Sequence, residues 1–162
     1  MISKKMTAAL NDQLNFEFHS AYLYLGMAAY ASSLGLNGFA GWFKTQAKEE
    51  MEHGMKFYHY IQEQGGEVAL EDVAAPGVKF ISAAGLFEQS LTHEKKVTQR
   101  IANLMAAAKK EDDYATESFL LWFLNEQVEE EAQLADILQK LAIGGKTGNS
   151  LLILDGILGQ RK

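Results

Sequence analysis

Apolar residues recur every three or four positions along four long stretches of this chain, roughly 4–33, 38–64, 83–109 and 113–142. That spacing predicts four helices, each with one buried stripe. The stripes run Leu10, Leu14, Glu17, Ala21, Tyr24, Ala28; then Phe39, Phe43, Gln46, Glu50, His53, Phe57, Tyr60; then Phe87, Ser90, Glu94, Val97, Ile101, Leu104; and finally Leu120, Phe123, Gln127, Glu130, Leu134, Ile137, Leu141. Every stripe is broken near its middle by an acid or an amide. A helix that carries Glu50 and His53 where leucines belong needs a reason.

The breaks between stretches set the topology. SSLGLNG and KKEDD are short connections, which make antiparallel neighbours, whereas QGGEVALEDVAAPGVKF is long and suits a crossover along a bundle. Asn37 and Ser82 stand where N-caps are expected. After GGKTGN comes a short apolar piece, SLLILDGILG, read as a fifth helix over about 149–158. The expected fold is therefore all-α. One domain spans 1–162: a four-helix bundle over about 4–142 with a long crossover between helices 2 and 3, and a short C-terminal helix. Glu17 and Glu50 are 33 residues apart, and so are Glu94 and Gln127. Two hairpins of matched length would bring these four positions to one level.

Composition narrows the chemistry. The 162 residues suffice for one substantial core. There is no cysteine, which excludes disulfides, thiolate metal sites and thiol catalysis. The net charge of −6 is spread along the chain with no basic stripe, so no nucleic-acid partner is expected. No run of about 18 apolar residues exists to span a membrane, and the N-terminal MISKKMTAALNDQLNF does not read as a signal peptide. A cytoplasmic location is expected.

A single glutamate on a core stripe, or a single histidine, says little by itself. Polar breaks at matching levels on four helices say more. If Glu17, Glu50, Glu94 and Glu130 converge, four carboxylates share one interior, and burying each ion costs several kcal/mol before mutual repulsion. Two divalent cations would cancel the four charges. His53 lies one turn from Glu50 on the same helix face. Oxygen ligands with one imidazole and no thiolate suit iron or manganese, and two such ions generally sit about 3.5–4 Å apart.

With these residues in view, the chain resembles a known family. Glu17, EEMEH (Glu49 to His53), Glu94 and NEQVEEE (Asn125 to Glu131) are similar to the pattern of a bacterial non-haem ferritin. Ferritin-like di-iron bundles take a Glu from each of two helices and Glu-x-x-His from the other two. Here the fourth helix departs, with Gln127-x-x-Glu130 in place of Glu-x-x-His. The resemblance implies one iron site from Glu17, Glu50 and His53, and a second from Glu50 as a bridge with Glu94 and Glu130. It implies a hydrogen-bonding role for Gln127 near bound oxygen or a ligand, and a third iron site at Glu49, Glu126 and Glu129. Tyr24 matches a tyrosine near that centre, although helix rise puts it about 10 Å along the axis from Glu17. Tyr24 and Trp122 are candidate electron donors. The implied activity is ferroxidase: Fe(II) is oxidised by oxygen or hydrogen peroxide, and Fe(III) is stored as mineral inside a homo-oligomeric shell of 24 subunits.

Other polar residues are left out of the site. His19, His59 and His93 are expected at the surface or an interface. Met51 occupies the slot where bacterioferritins carry a haem-ligating methionine, and the Gln127/Glu130 pattern argues for reading it as packing. The competing functions are a haem-containing bacterioferritin and a di-iron oxidase or peroxidase with no storage role.

Overall fold

The computed structural model describes residues 1–76, 79–144 and 148–161. Among these, the chain forms five helices: α1 (Lys4–Ser33), α2 (Asn37–Glu63), α3 (Ala83–Lys110), α4 (Tyr114–Gly144) and α5 (Gly148–Leu158). α1 pairs with α2 and α3 with α4, α1 also touches α3, and α5 packs on α2 and α4. The four long helices match the periodic stretches to within two residues at each end. No described helix is long and apolar enough to cross a membrane.

Local chemistry sets the helix ends. Ser3 and Ser82 cap α1 and α3, their hydroxyls accepting from the amides of Met6 and Gly85. The first three helices close in the same way. Leu36, Gly66 and Asp113 each donate a backbone bond five residues back, to Ala31, Ile61 and Ala108. That closure puts the preceding residue in the left-handed region, where Gly35 (φ 77°) and Gly65 (φ 73°) sit without strain and Asp112 (φ 53°) is tolerated.

α2 starts differently from expectation. Asn37 is its first helical residue, and Leu36 precedes it with no side-chain cap. The cap comes from α5: Asp155 accepts from the amides of Gly38 (3.1 Å) and Phe39 (2.8 Å). A local serine-or-asparagine rule could not have found a cap more than a hundred residues away. Gly38 makes the approach feasible, since a Cβ there would collide with the Asp155 carbonyl.

The crossover is held to α1 by two asparagines one turn apart. Asn11 donates to Glu67 O and accepts from the Ala69 amide; Asn15 donates to Ala69 O and accepts from the Glu71 amide. Inside the bundle, the apolar residues form two clusters rather than one. One gathers around Tyr24, Phe39, Phe43 and Phe87, the other around Leu10, Phe57, Ile101 and Phe123. The acids and amides of the core stripes lie buried among these apolar residues.

Candidate metal centre

The central residue of each stripe is a buried acid. Glu17, Glu50, Glu94 and Glu130 come from α1, α2, α3 and α4, and all four are buried together with His53. One ligand atom each from Glu17, Glu50 and His53 can be chosen so that all lie within 4.8 Å of one another. The same holds for Glu50, Glu94 and Glu130, so Glu50 belongs to both groups. A third group joins His53, Glu130 and the half-buried Glu126.

Amides hold these carboxylates from outside. Gln13 donates to Glu17 Oε1 at 2.7 Å. Gln46 donates to both Glu50 Oε1 (3.2 Å) and Glu130 Oε1 (2.9 Å). Gln127 donates to Glu94 Oε2 at 3.1 Å and to its backbone carbonyl at 3.2 Å. The Tyr24 hydroxyl donates to Glu94 Oε1. On Glu17, Glu50 and Glu130 the second oxygen, Oε2, is buried with no hydrogen-bond partner. His53 Nδ1 stands 3.3 Å from Glu50 Oε2, at ion-pair distance but without hydrogen-bond alignment.

Burial is the leading cause of the electrostatics. It pushes the carboxyls of Glu17, Glu50 and Glu130 well above the usual carboxylate value. Neighbouring acids push the same way: Glu50 on Glu17, Glu94 on Glu50, and Glu94 and Glu50 on Glu130. Burial, then Glu94, raises the Tyr24 phenol too. Orphaned buried oxygens on acids that resist ionisation are high in free energy. Cations seated among them would satisfy the oxygens and stabilise the charged form together. Hard oxygen donors with one imidazole fit Fe(II) by ligand type.

A family model described as Ferritin-like domain matches residues 7–143. The chain belongs to the ferritin-like family. It is 44% identical over 161 residues to the bacterial non-heme ferritin of Staphylococcus aureus strain MRSA252, covering 99% of this chain and 97% of that one. The non-heme ferritin of Staphylococcus epidermidis is similar to the same extent. Among solved structures, the open pore ferritin of the hyperthermophilic archaeon Archaeoglobus fulgidus superposes with a TM-score of 0.98 at 46% identity, covering 100% of both chains. A ferritin with such relatives is supported in the broad role of iron storage.

Several other expectations on this ferritin chain change. His93 is buried, not superficial: its Nε2 lies 2.7 Å from Ser20 Oγ, its ring stacks on Phe16, and burial lowers its pKa. His19 is half-buried and His59 exposed. Tyr24 sits along α1 as helix rise requires, yet its hydroxyl crosses the bundle to an acid on α3. Met51 is exposed rather than packed in the core. Trp122 is also exposed, with Lys56 Nζ over its ring at 4.4 Å and its ring edge-on to His53. Glu129 is exposed, and Glu49 is ion-paired with Arg161; neither joins any close metal-ligating group among the described residues.

Two residues escaped the sequence reading. Gln13 was not singled out, although it precedes Glu17 by four residues, as Gln46 precedes Glu50, and the two amides are again 33 residues apart. Arg161 carried no signal at all, because its partners depend on where α5 docks.

Proposed function

We propose that this ferritin is a ferroxidase that stores iron. Glu17, Glu50 and His53 receive one Fe(II); Glu50, Glu94 and Glu130 receive the second. Each Fe(II) loses one electron, and an oxygen molecule takes the two electrons and two protons to become hydrogen peroxide, or a peroxide takes them to become water. The chain's part is positional. Gln13 and Gln46 hold one oxygen each of Glu17, Glu50 and Glu130 and leave the other free to turn toward a cation, while Gln127 holds Glu94. Tyr24 fixes Glu94 from the side away from Gln127. Carboxylates on flexible stems would also let Fe(III) leave for storage, and Glu49, Glu126 and Glu129 serve that later traffic from the edge of the bundle.

The observation that carries this reading is Glu50, buried and common to two close groups, with one oxygen unpartnered. Glu50→Ala should abolish the fast oxidation of the first two Fe(II) per subunit while assembly persists. Stopped-flow traces matching wild type would sink the assignment. Storage further requires an enclosed space. Leu152, Ile153 and Ile157 on α5 are 62%, 65% and 52% exposed, and an apolar helix of this kind needs a cover. Neighbouring copies supply it in a 24-subunit shell, which a cytoplasmic protein would assemble without other partners. A stable monomer in native mass spectrometry would rule this out.

A further inference from the structure

The C-terminal arm reaches the candidate centre. Arg161 lies just beyond α5, and its guanidinium sits over the Trp42 ring at 4.5 Å. Nη1 donates to Gln46 Oε1 at 3.0 Å, and Nη2 donates to Glu49 Oε2. The Gln46 amide in turn donates to Glu50 and Glu130. An arginine can only donate, and an ionised carboxylate can only accept. An amide placed between them therefore has one usable orientation, with oxygen toward Arg161 and nitrogen toward the acids. Without the guanidinium, the Gln46 oxygen loses its donor, and the side chain is free to change rotamer and take its nitrogen off the two acids. The arrangement recurs across the bundle, where Arg100 Nε donates to Gln13 Oε1 at 2.8 Å and Gln13 donates to Glu17.

We propose that Arg161 is a positioning residue for the metal centre: it locks the Gln46 amide so that Glu50 and Glu130 are held ready for a cation, and it makes the docking of α5 part of the site's geometry. This inference rests on the ferroxidase reading for its biological sense, but metal binding alone tests it. Partners outside the ligand set typically change metal affinity by about 10–100-fold. Removing a positive charge beside a cation site acts in the opposite direction. Arg161→Lys, which keeps the charge and loses the fork, separates the two effects.

The test uses the assembled full-length protein with Zn(II), which undergoes no redox change, and with Co(II) as a reporter of ligand geometry. Arg161→Lys should weaken Zn(II) binding to the paired site by about tenfold, Arg161→Met should weaken it less because it also removes a positive charge, and both should alter the Co(II) absorption spectrum. Gln46→Leu should do the same, and adding Arg161→Met to Gln46→Leu should cost nothing more, since the arginine acts through that amide. Wild-type affinity and spectrum in the Arg161→Lys protein, or additive losses in the double variant, would overturn the proposal. If Arg161→Met fails to assemble, the lysine variant and its combination with Gln46→Leu give the same decision. Wild-type protein that binds two Zn(II) but does not oxidise Fe(II) would remove the ferroxidase reading, and the Zn(II) contrast would still decide the role of Arg161.

Discussion

Metal entry into this centre should expel protons. Glu17, Glu50 and Glu130 all bind their protons more tightly in the folded chain than a free carboxyl does. Between the usual carboxylate value and the raised folded one, the metal-free site therefore keeps protons that a divalent ion must displace. Up to three protons leave per subunit as two ions bind. Each displaced proton strengthens apparent binding tenfold per pH unit, about 1.4 kcal/mol, so all three would give about 4 kcal/mol. The same imbalance acts on stability. Above the usual carboxylate value and below the raised folded one, the folded chain holds a proton that the unfolded chain has lost. Metal-free stability thus falls as pH rises through that window and is greatest at its acid end. Calorimetric titration of Zn(II) into stripped protein, repeated in two buffers of different ionisation enthalpy, counts the protons directly. Glu50→Gln should reduce the count. Identical heats in both buffers, with affinity independent of pH, would show that the acids are already ionised and would refute the reasoning.

Three further outcomes follow from individual contacts. Gly38→Ala should push α5 off the start of α2 and leave two amides without the Asp155 cap, costing about 0.5–2 kcal/mol, as is typical of a lost N-cap; an unchanged thermal midpoint would contradict this. Tyr24→Phe removes a donor from buried Glu94 and should slow iron oxidation while two-ion Zn(II) stoichiometry persists; loss of stoichiometry would show that the tyrosine builds the site rather than tuning it. Glu49→Ala combined with Glu126→Ala should leave fast oxidation of the first two irons near normal and change later turnover and the iron-to-oxygen ratio. Iron titration with simultaneous oxygen uptake checks this, and loss of the initial phase would place these acids in the main centre.

Much of this architecture is legible in periodicity because helix burial is a local property. The stripes placed Glu17, Glu50, Glu94 and Glu130 on the inside, and each is buried. Leu141 alone among the stripe residues is only partly buried, near the C-terminal end of α4. What periodicity could not show was contact between distant segments. Asp155 capping α2, Arg161 reaching Gln46 and Tyr24 reaching Glu94 all depend on helix packing and on side-chain length. His93 was misplaced for a related reason. It precedes a core acid by one residue, which suggests another face, yet α1 lies close enough there for Ser20 and Phe16 to cover it.

The interior has two apolar blocks, each knit by its own aromatic contacts: Phe39, Phe43 and Phe87 in one, Phe57, Phe119 and Phe123 in the other. Either block could be redesigned without disturbing its counterpart, because the intervening acids give them little shared surface to match. Those acids are also the layer a designer interested only in robustness would discard. Apolar replacements of similar size at buried charged positions are often neutral or stabilising by about 1–4 kcal/mol. A leucine-filled version should melt higher than the metal-free parent and bind nothing. The difference in melting temperature between the two would measure how much stability the acidic layer forgoes.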